Sequence, residues 1–138
     1  MSELFDISGL LRHYIINKSD IKALVGNRIY AGGIPIHNGE TSSENVENPK
    51  VGFRQNGGDP KGMNYRYIFI CRADTLIIAR KIAILIINRL TKENFALEDV
   101  DGNNLAYWAE LEGSLIDSID DITGNPEVFF NINFEAIQ

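Results

Sequence analysis

From residue 75 to residue 90 the chain reads TLIIARKIAILIINRL. At 100° per residue, Leu76, Ala79, Ile82, Ala83, Ile86, Ile87 and Leu90 fall on one broad arc. That arc predicts a helix laid on a sheet, with Asp74 or Thr75 as its N-cap. Arg80, Lys81, Asn88 and Arg89 take the opposite half, yet Ile77, Ile78, Ile84 and Leu85 sit among them. A helix apolar on nearly every side is buried on more than one of them. Only one other region of the chain is clearly helical, so the second cover expected is another subunit, and the chain reads as an assembly component.

Elsewhere the patterns are shorter. Residues 8–17 carry Leu10, Leu11, Tyr14 and Ile15 at helical spacing behind Ser8, a candidate N-cap. Ser19 is placed to cap a second short helix over 20–25, closed by Gly26, and Arg28, Ile29 and Tyr30 follow as an extended piece. Residues 50–55 alternate, with Val51 and Phe53 on one face, and 56–62 are dense in turn residues. Residues 64–72 form a strong strand, Tyr65, Tyr67, Phe69 and Cys71 facing one way and Ile68 and Ile70 the other. Together these predict a hairpin with a long, projecting tip.

A weaker strand spans 95–100, and Asp101 and Gly102 turn the chain into a strand over 104–112. There Leu105, Tyr107, Ala109 and Leu111 oppose Ala106, Trp108 and Glu110. The closing strand, 128–136, sets Val128, Phe130, Ile132, Phe134 and Ala136 against Phe129, Asn131, Asn133 and Glu135. Two stretches lack a period and are expected to be surface loops: 31–49, with two prolines, and 113–126, which holds Asp117, Asp120 and Asp121. The expected fold is a single α+β domain over 1–138, a mainly antiparallel sheet packed by one long helix with a short N-terminal helical pair.

Charge narrows the partners. The formal net charge is −6, with no stripe of Lys and Arg, which argues against a protein that grips phosphates. Arg80 and Lys81 interrupt the longest apolar run, which falls short of the roughly 18–20 residues a membrane span needs. The start, MSELFD, has neither a basic nor an apolar leader segment, so a secretory signal is not expected. Cys71, the single cysteine, excludes an internal disulfide and fits a reducing compartment.

Catalytic and ligand motifs fail on inspection. Gly57 and Gly62 have the outer spacing of a phosphate loop, but Met63 and Asn64 stand where Lys and Ser or Thr should be, and a strand follows. His13 and His37 lie apart and outside any zinc-binding pattern. Cys71, inside the strongest strand, reads as a buried structural thiol. Asp117, Asp120 and Asp121 lack the order of a calcium loop and read as a solvated acidic loop. Asn17, Lys18 and Ser19 spell a glycosylation acceptor, a chance match without secretion. No enzyme activity, cofactor or metal is expected.

The order of elements, with ALVGNRIY at 23–30 and a Gly124-Asn125-Pro126 turn before the last alternating strand, resembles the tail terminator, or tail-to-head joining, proteins of long-tailed bacteriophages. Two features differ from that pattern: the loop 31–49 is longer, and Asn125 stands where an aromatic residue is typical. The resemblance implies a virion protein at the head-proximal end of the tail, assembled in the host cytoplasm. It would form a homo-oligomeric ring, expected to have six subunits, that caps the tail tube and meets the head connector or a stopper protein. DNA would pass through without specific binding, and no membrane is involved.

The residues suggest where such contacts fall. Ile77, Arg80, Lys81, Ile84, Leu85 and Asn88 are candidates for a subunit interface. Asp117, Asp120 and Asp121 are candidates to line the channel by like-charge repulsion. The tip 56–62 and loop 31–49 are candidates to order against tube or connector. Competing expectations are another phage neck ring, such as a head-completion or stopper protein, and a non-phage ligand-binding α+β domain.

Overall fold

The computed structural model describes residues 8–32, 48–59, 64–92, 97–98, 104–106, 108–120 and 124–135. Two short helices, α1 (Ser8–Ile16) and α2 (Ser19–Val25), lead into strand β1 (Ile29–Ala31). Strands β2 (Lys50–Asp59) and β3 (Asn64–Arg72) precede the long helix α3 (Leu76–Leu90). Two short strands, β4 (Leu97–Glu98) and β5 (Asn104–Ala106), pair with each other, and β6 (Trp108–Ile119) and β7 (Pro126–Glu135) complete the chain. The main sheet runs β1-β2-β3-β7-β6, antiparallel except for β1 beside β2. The fold is α+β, as the patterns predict.

Strict alternation decides which sheet face is covered. On β3, Tyr65, Tyr67, Phe69 and Cys71 are fully buried, and on β7 Val128, Phe130, Ile132 and Phe134 join them. Register puts Phe53, Phe69 and Phe130 side by side across three strands. Their rings stack at centroid distances of 5.3 and 5.2 Å, and Phe134 meets Tyr67 edge-on at 5.7 Å. Each such pair contributes about 0.5–1.5 kcal/mol beyond the area it buries.

The three described helices share this face: Leu11 and Ile15 of α1, Ile21 and Val25 of α2, and Ala79, Ile82, Ala83, Ile86 and Leu90 of α3 belong to the same core. Polar links fix the helices to one another. The Tyr14 hydroxyl donates to the Arg89 carbonyl at 3.0 Å, and Arg89 pairs with Asp20 at 3.0 Å. Ser8 and Tyr67 join hydroxyls at 3.1 Å.

Several boundaries differ from expectation. The loop expected over 113–126 is strand as far as Ile119. Two extra residues bulge from β6 between Glu112 and Ile116, opposite Asn131 and Phe129, with Gly113 at φ 76°. The bulge interrupts the alternation and hides the strand's second half. The segment expected to be turn from residue 56 is strand to Asp59, with a register shift between Gln55 and Gly58. The strand expected over 104–112 divides, its first three residues pairing with β4 and the rest opening β6.

Ser8 and Ser19 both lie within helices rather than at caps. Lys18 holds the N-cap position of α2 without a side-chain bond, and Asp20 Oδ1 instead accepts from the Ile21 N–H at 2.9 Å. Gly26 does close α2, at φ 58°. Gly124 and Asn125 form the turn before β7, with the Gly124 N–H donating to the Asp120 carbonyl at 2.8 Å and the Asp120 N–H to that of Asn125 at 2.9 Å. Most of loop 31–49, the tip beyond Asp59, the turn at Asp101 and Gly102, His37, Asp121, Ala136 and the side chains of Leu105, Ala106 and Tyr107 lie outside the described residues.

Candidate assembly interface

Helix α3 is bounded by two threonines. Thr75 accepts from the Ile78 N–H at 3.3 Å, and the Thr91 hydroxyl and N–H both donate to the Ile87 carbonyl, at 2.7 and 2.8 Å. Its inner arc is buried as the pattern requires. Its outer side is not: Ile77 remains 77% exposed and Ile84 50% exposed, with Leu85 half-buried beside them. Ile78, on the boundary, packs against the core.

Ile77, Arg80, Lys81, Ile84 and Leu85 together line a shallow, open depression of about 340 Å³. Five of the six candidate interface residues therefore share one surface feature. Asn88 lies exposed one turn further on.

The two candidate sets meet at Arg80. Its Nη2 and Nε both bond the Asp117 carboxylate, the latter at 3.2 Å, so α3 is tied to β6 across the top of the sheet. The hydrogen bonds from Arg80 hold the Asp117 carboxyl below the usual carboxylate range. Asp120 is also paired, lying 3.3 Å from Arg72. Neither aspartate presents an unpaired charge, and Asp121 is outside the described residues. Lys81, by contrast, makes no ion pair with a described residue.

Sequence reasoning missed three exposed apolar side chains on β6: Trp108 at 48%, Ile116 at 49% and Ile119 at 65%. The signal existed, because Leu115, Asp117 and Ile119 alternate with Ile116 and Ser118 once the bulge is allowed for. β6 is an edge strand of the sheet, so one side of its backbone has no strand partner among the described residues. Asp117 and Ile119 project on the same face as Val128 and the helices, which puts Ile119 on the α3 side of the molecule.

Cys71 is fully buried, and that burial pushes its thiol far above the usual range, away from the reactive thiolate. Among the described residues no group of His, Cys, Asp and Glu side chains converges to hold a metal, and no helix is long and apolar enough to cross a membrane.

No protein-family model matches the chain, and no curated protein matches it. Among solved structures, it is similar to a chain in the virion of a native gene transfer agent particle. That similarity has a TM-score of 0.64 over 94% of this chain and 93% of that one, at 10% identity. At so low an identity the likeness is one of fold.

Proposed function

We propose that this protein is a structural, non-enzymatic subunit of a phage-like virion. It closes into a six-membered ring on the head-proximal end of the tail tube, stops tube elongation, and joins the tube to the head connector. The observation that carries this reading is the outer side of α3, where Ile77 and Ile84 stay exposed after the helix has covered its own sheet. An apolar, shallow patch suits a protein partner better than a small ligand. The fold shared with a virion chain supports the same reading. Ring closure requires heterologous contacts, one surface of each copy meeting a different surface of the next.

DNA passage would depend on the net charge of −6 rather than on Asp117 and Asp120, whose charges are matched by Arg80 and Arg72. The test is to add the purified protein separately to polymerising tail tubes and to filled heads. Capped tubes of fixed length support the terminator role. Capped heads instead would assign the protein to another neck ring, and binding to neither would overturn the reading.

A further inference from the structure

The sheet has a second face that none of the described helices covers. Cross-strand register orders it into rows. Gly52, Ile70, Phe129 and Ile116 form one row across four strands, and Arg54, Ile68, Asn131 and Glu112 the next. Ile68, Ile70 and Phe129 are only half-buried, and Ile116 is exposed. Beyond them, Trp108 sits opposite Glu135, and Glu110 opposite Asn133.

On β6 and β7 every charged side chain of this face is acidic: Glu110, Glu112, Glu127 and Glu135. Arg66 and Arg72 form ion pairs with Glu112 and Glu127, at 3.3 and 2.7 Å. Glu110 and Glu135, which flank Trp108, make no ion pair with a described residue. This half of the open face therefore sets three apolar side chains, Trp108, Ile116 and Phe129, among acidic and amide groups, with negative charge to spare. The outer side of α3 is apolar with spare positive charge, that of Lys81. The two surfaces lie on opposite sides of one sheet and cannot meet within a molecule.

Resting on the reading that copies of this chain assemble, we propose that the α3 side of one subunit docks on the β6–β7 half of the open sheet face of the next. Ile77, Ile84 and Leu85 meet Ile116, Phe129 and Trp108, and Lys81 faces the Glu110 and Glu135 carboxylates. Helix-to-helix pairing would bring the unpaired Lys81 of one copy close to that of the other, a repulsion that the head-to-tail arrangement avoids. Surfaces on opposite sides of a subunit also generate the repeating contact that a closed ring needs.

The experiment mixes two chains, each with one surface disabled: Ile77→Asp for the helix side and Ile116→Asp for the sheet side. Both substitutions are at exposed positions, and circular dichroism checks that each chain folds. If Ile116→Asp unfolds the edge strand, Trp108→Ser on the same face replaces it. Light scattering is run over rising concentrations, up to those at which one contact holds two copies of the unaltered chain together without ring closure.

Each variant alone is expected to be monomeric, and an equal mixture is expected to give a one-to-one dimer, twice the 15.5 kDa of one chain, and nothing larger. An Ile116→Asp chain that still assembles would show helix-to-helix contact, and an Ile77→Asp chain that still assembles would show sheet-to-sheet contact. Either result overturns the proposal, as does a mixture that stays monomeric. If the unaltered chain never associates, alone or on tail tubes, the reading beneath it fails as well.

Discussion

Arg72 holds together a charge cluster whose removal the geometry makes expensive. It stands at the end of β3 on the open sheet face, opposite its cross-strand partner Glu127. Nε and Nη2 reach Glu127 Oε2 at 2.8 and 2.7 Å, and Nη2 lies 3.3 Å from Asp120 Oδ1. The three side chains are only 12–16% exposed. Arg72→Met keeps the aliphatic stem but leaves two poorly solvated carboxylates facing each other. Breaking a buried pair costs about 3–5 kcal/mol. The residual exposure argues for the lower end, about 3 kcal/mol, which in a chain of this size lowers Tm by about 12 °C.

Glu127→Gln retains an acceptor and leaves Asp120 on the guanidinium, so its cost is about 1 kcal/mol. The double variant Arg72→Met with Glu127→Met is expected to recover at least half of the loss, because no paired charge is then stranded. Urea denaturation of the dilute, monomeric protein measures all three, at low and at molar salt. A cost under about 1 kcal/mol for Arg72→Met, or one that high salt removes, would mean the cluster behaves as a solvated surface pair. Burial would then not be what sets the cost of losing Arg72.

Three further outcomes are expected. Ile84→Asp forfeits about 1 kcal/mol of apolar burial per subunit contact and adds several more for desolvating a carboxylate, so assembly weakens at least a hundredfold while the monomer's Tm moves by only a few degrees; unchanged molar mass by light scattering would remove α3 from the interface. Cys71 is expected to resist a thiol reagent until the protein unfolds. Because burial raises its folded pKa, stability should also fall as pH climbs past the ordinary thiol range of about 8.5, where only the unfolded chain releases the proton; a Cys71→Ala variant with the same slope would exclude that origin. Burial raises the Asp20 carboxyl, but hydrogen bonds from Arg89 and the Ile21 N–H outweigh it and leave the folded pKa lowered. Asp20→Asn should therefore cost about 0.2–1 kcal/mol at neutral pH, a difference lost as pH falls below about 4 through the folded pKa; an equal cost at pH 2, by thermal melts, would point to packing instead.

Much of this architecture is legible in the residues because its strongest elements are also its most periodic. Aromatic alternation on β3 and β7 separated the two sheet faces residue by residue, and the apolar excess of α3 included Ile77 and Ile84, which the fold leaves exposed, along with Ile78 and Leu85, which pack against the core. What escaped depends on contacts distant in sequence. The cluster of Arg72, Asp120 and Glu127 joins positions from β3, the turn after β6 and the start of β7, and no local pattern foretells it. The second half of β6 was hidden by two bulged residues and by its place at the sheet edge, where half its positions face water and need not be apolar. The parallel pairing of β1 with β2 likewise leaves no signature in a strand of three residues.

A two-layer α+β domain covers one face of its sheet and leaves the other to solvent, so a row such as Ile70, Phe129 and Ile116 requires a reason. The outer side of α3 requires one too. Either patch alone would be ordinary surface variation, since single exposed apolar residues are common. Their arrangement distinguishes them: one patch lies on each side of the same sheet, with spare charge of opposite sign at each. Each contact between such shallow surfaces is weak, so an open row of copies dissociates readily when dilute. Closing the row adds one contact without the translational cost of recruiting another subunit. A template that holds the first copies in place supplies the same advantage earlier. Weak, opposed patches therefore favour a subunit that stays dispersed until a template gathers it, whereas a single strong patch would favour a dimer and stop there.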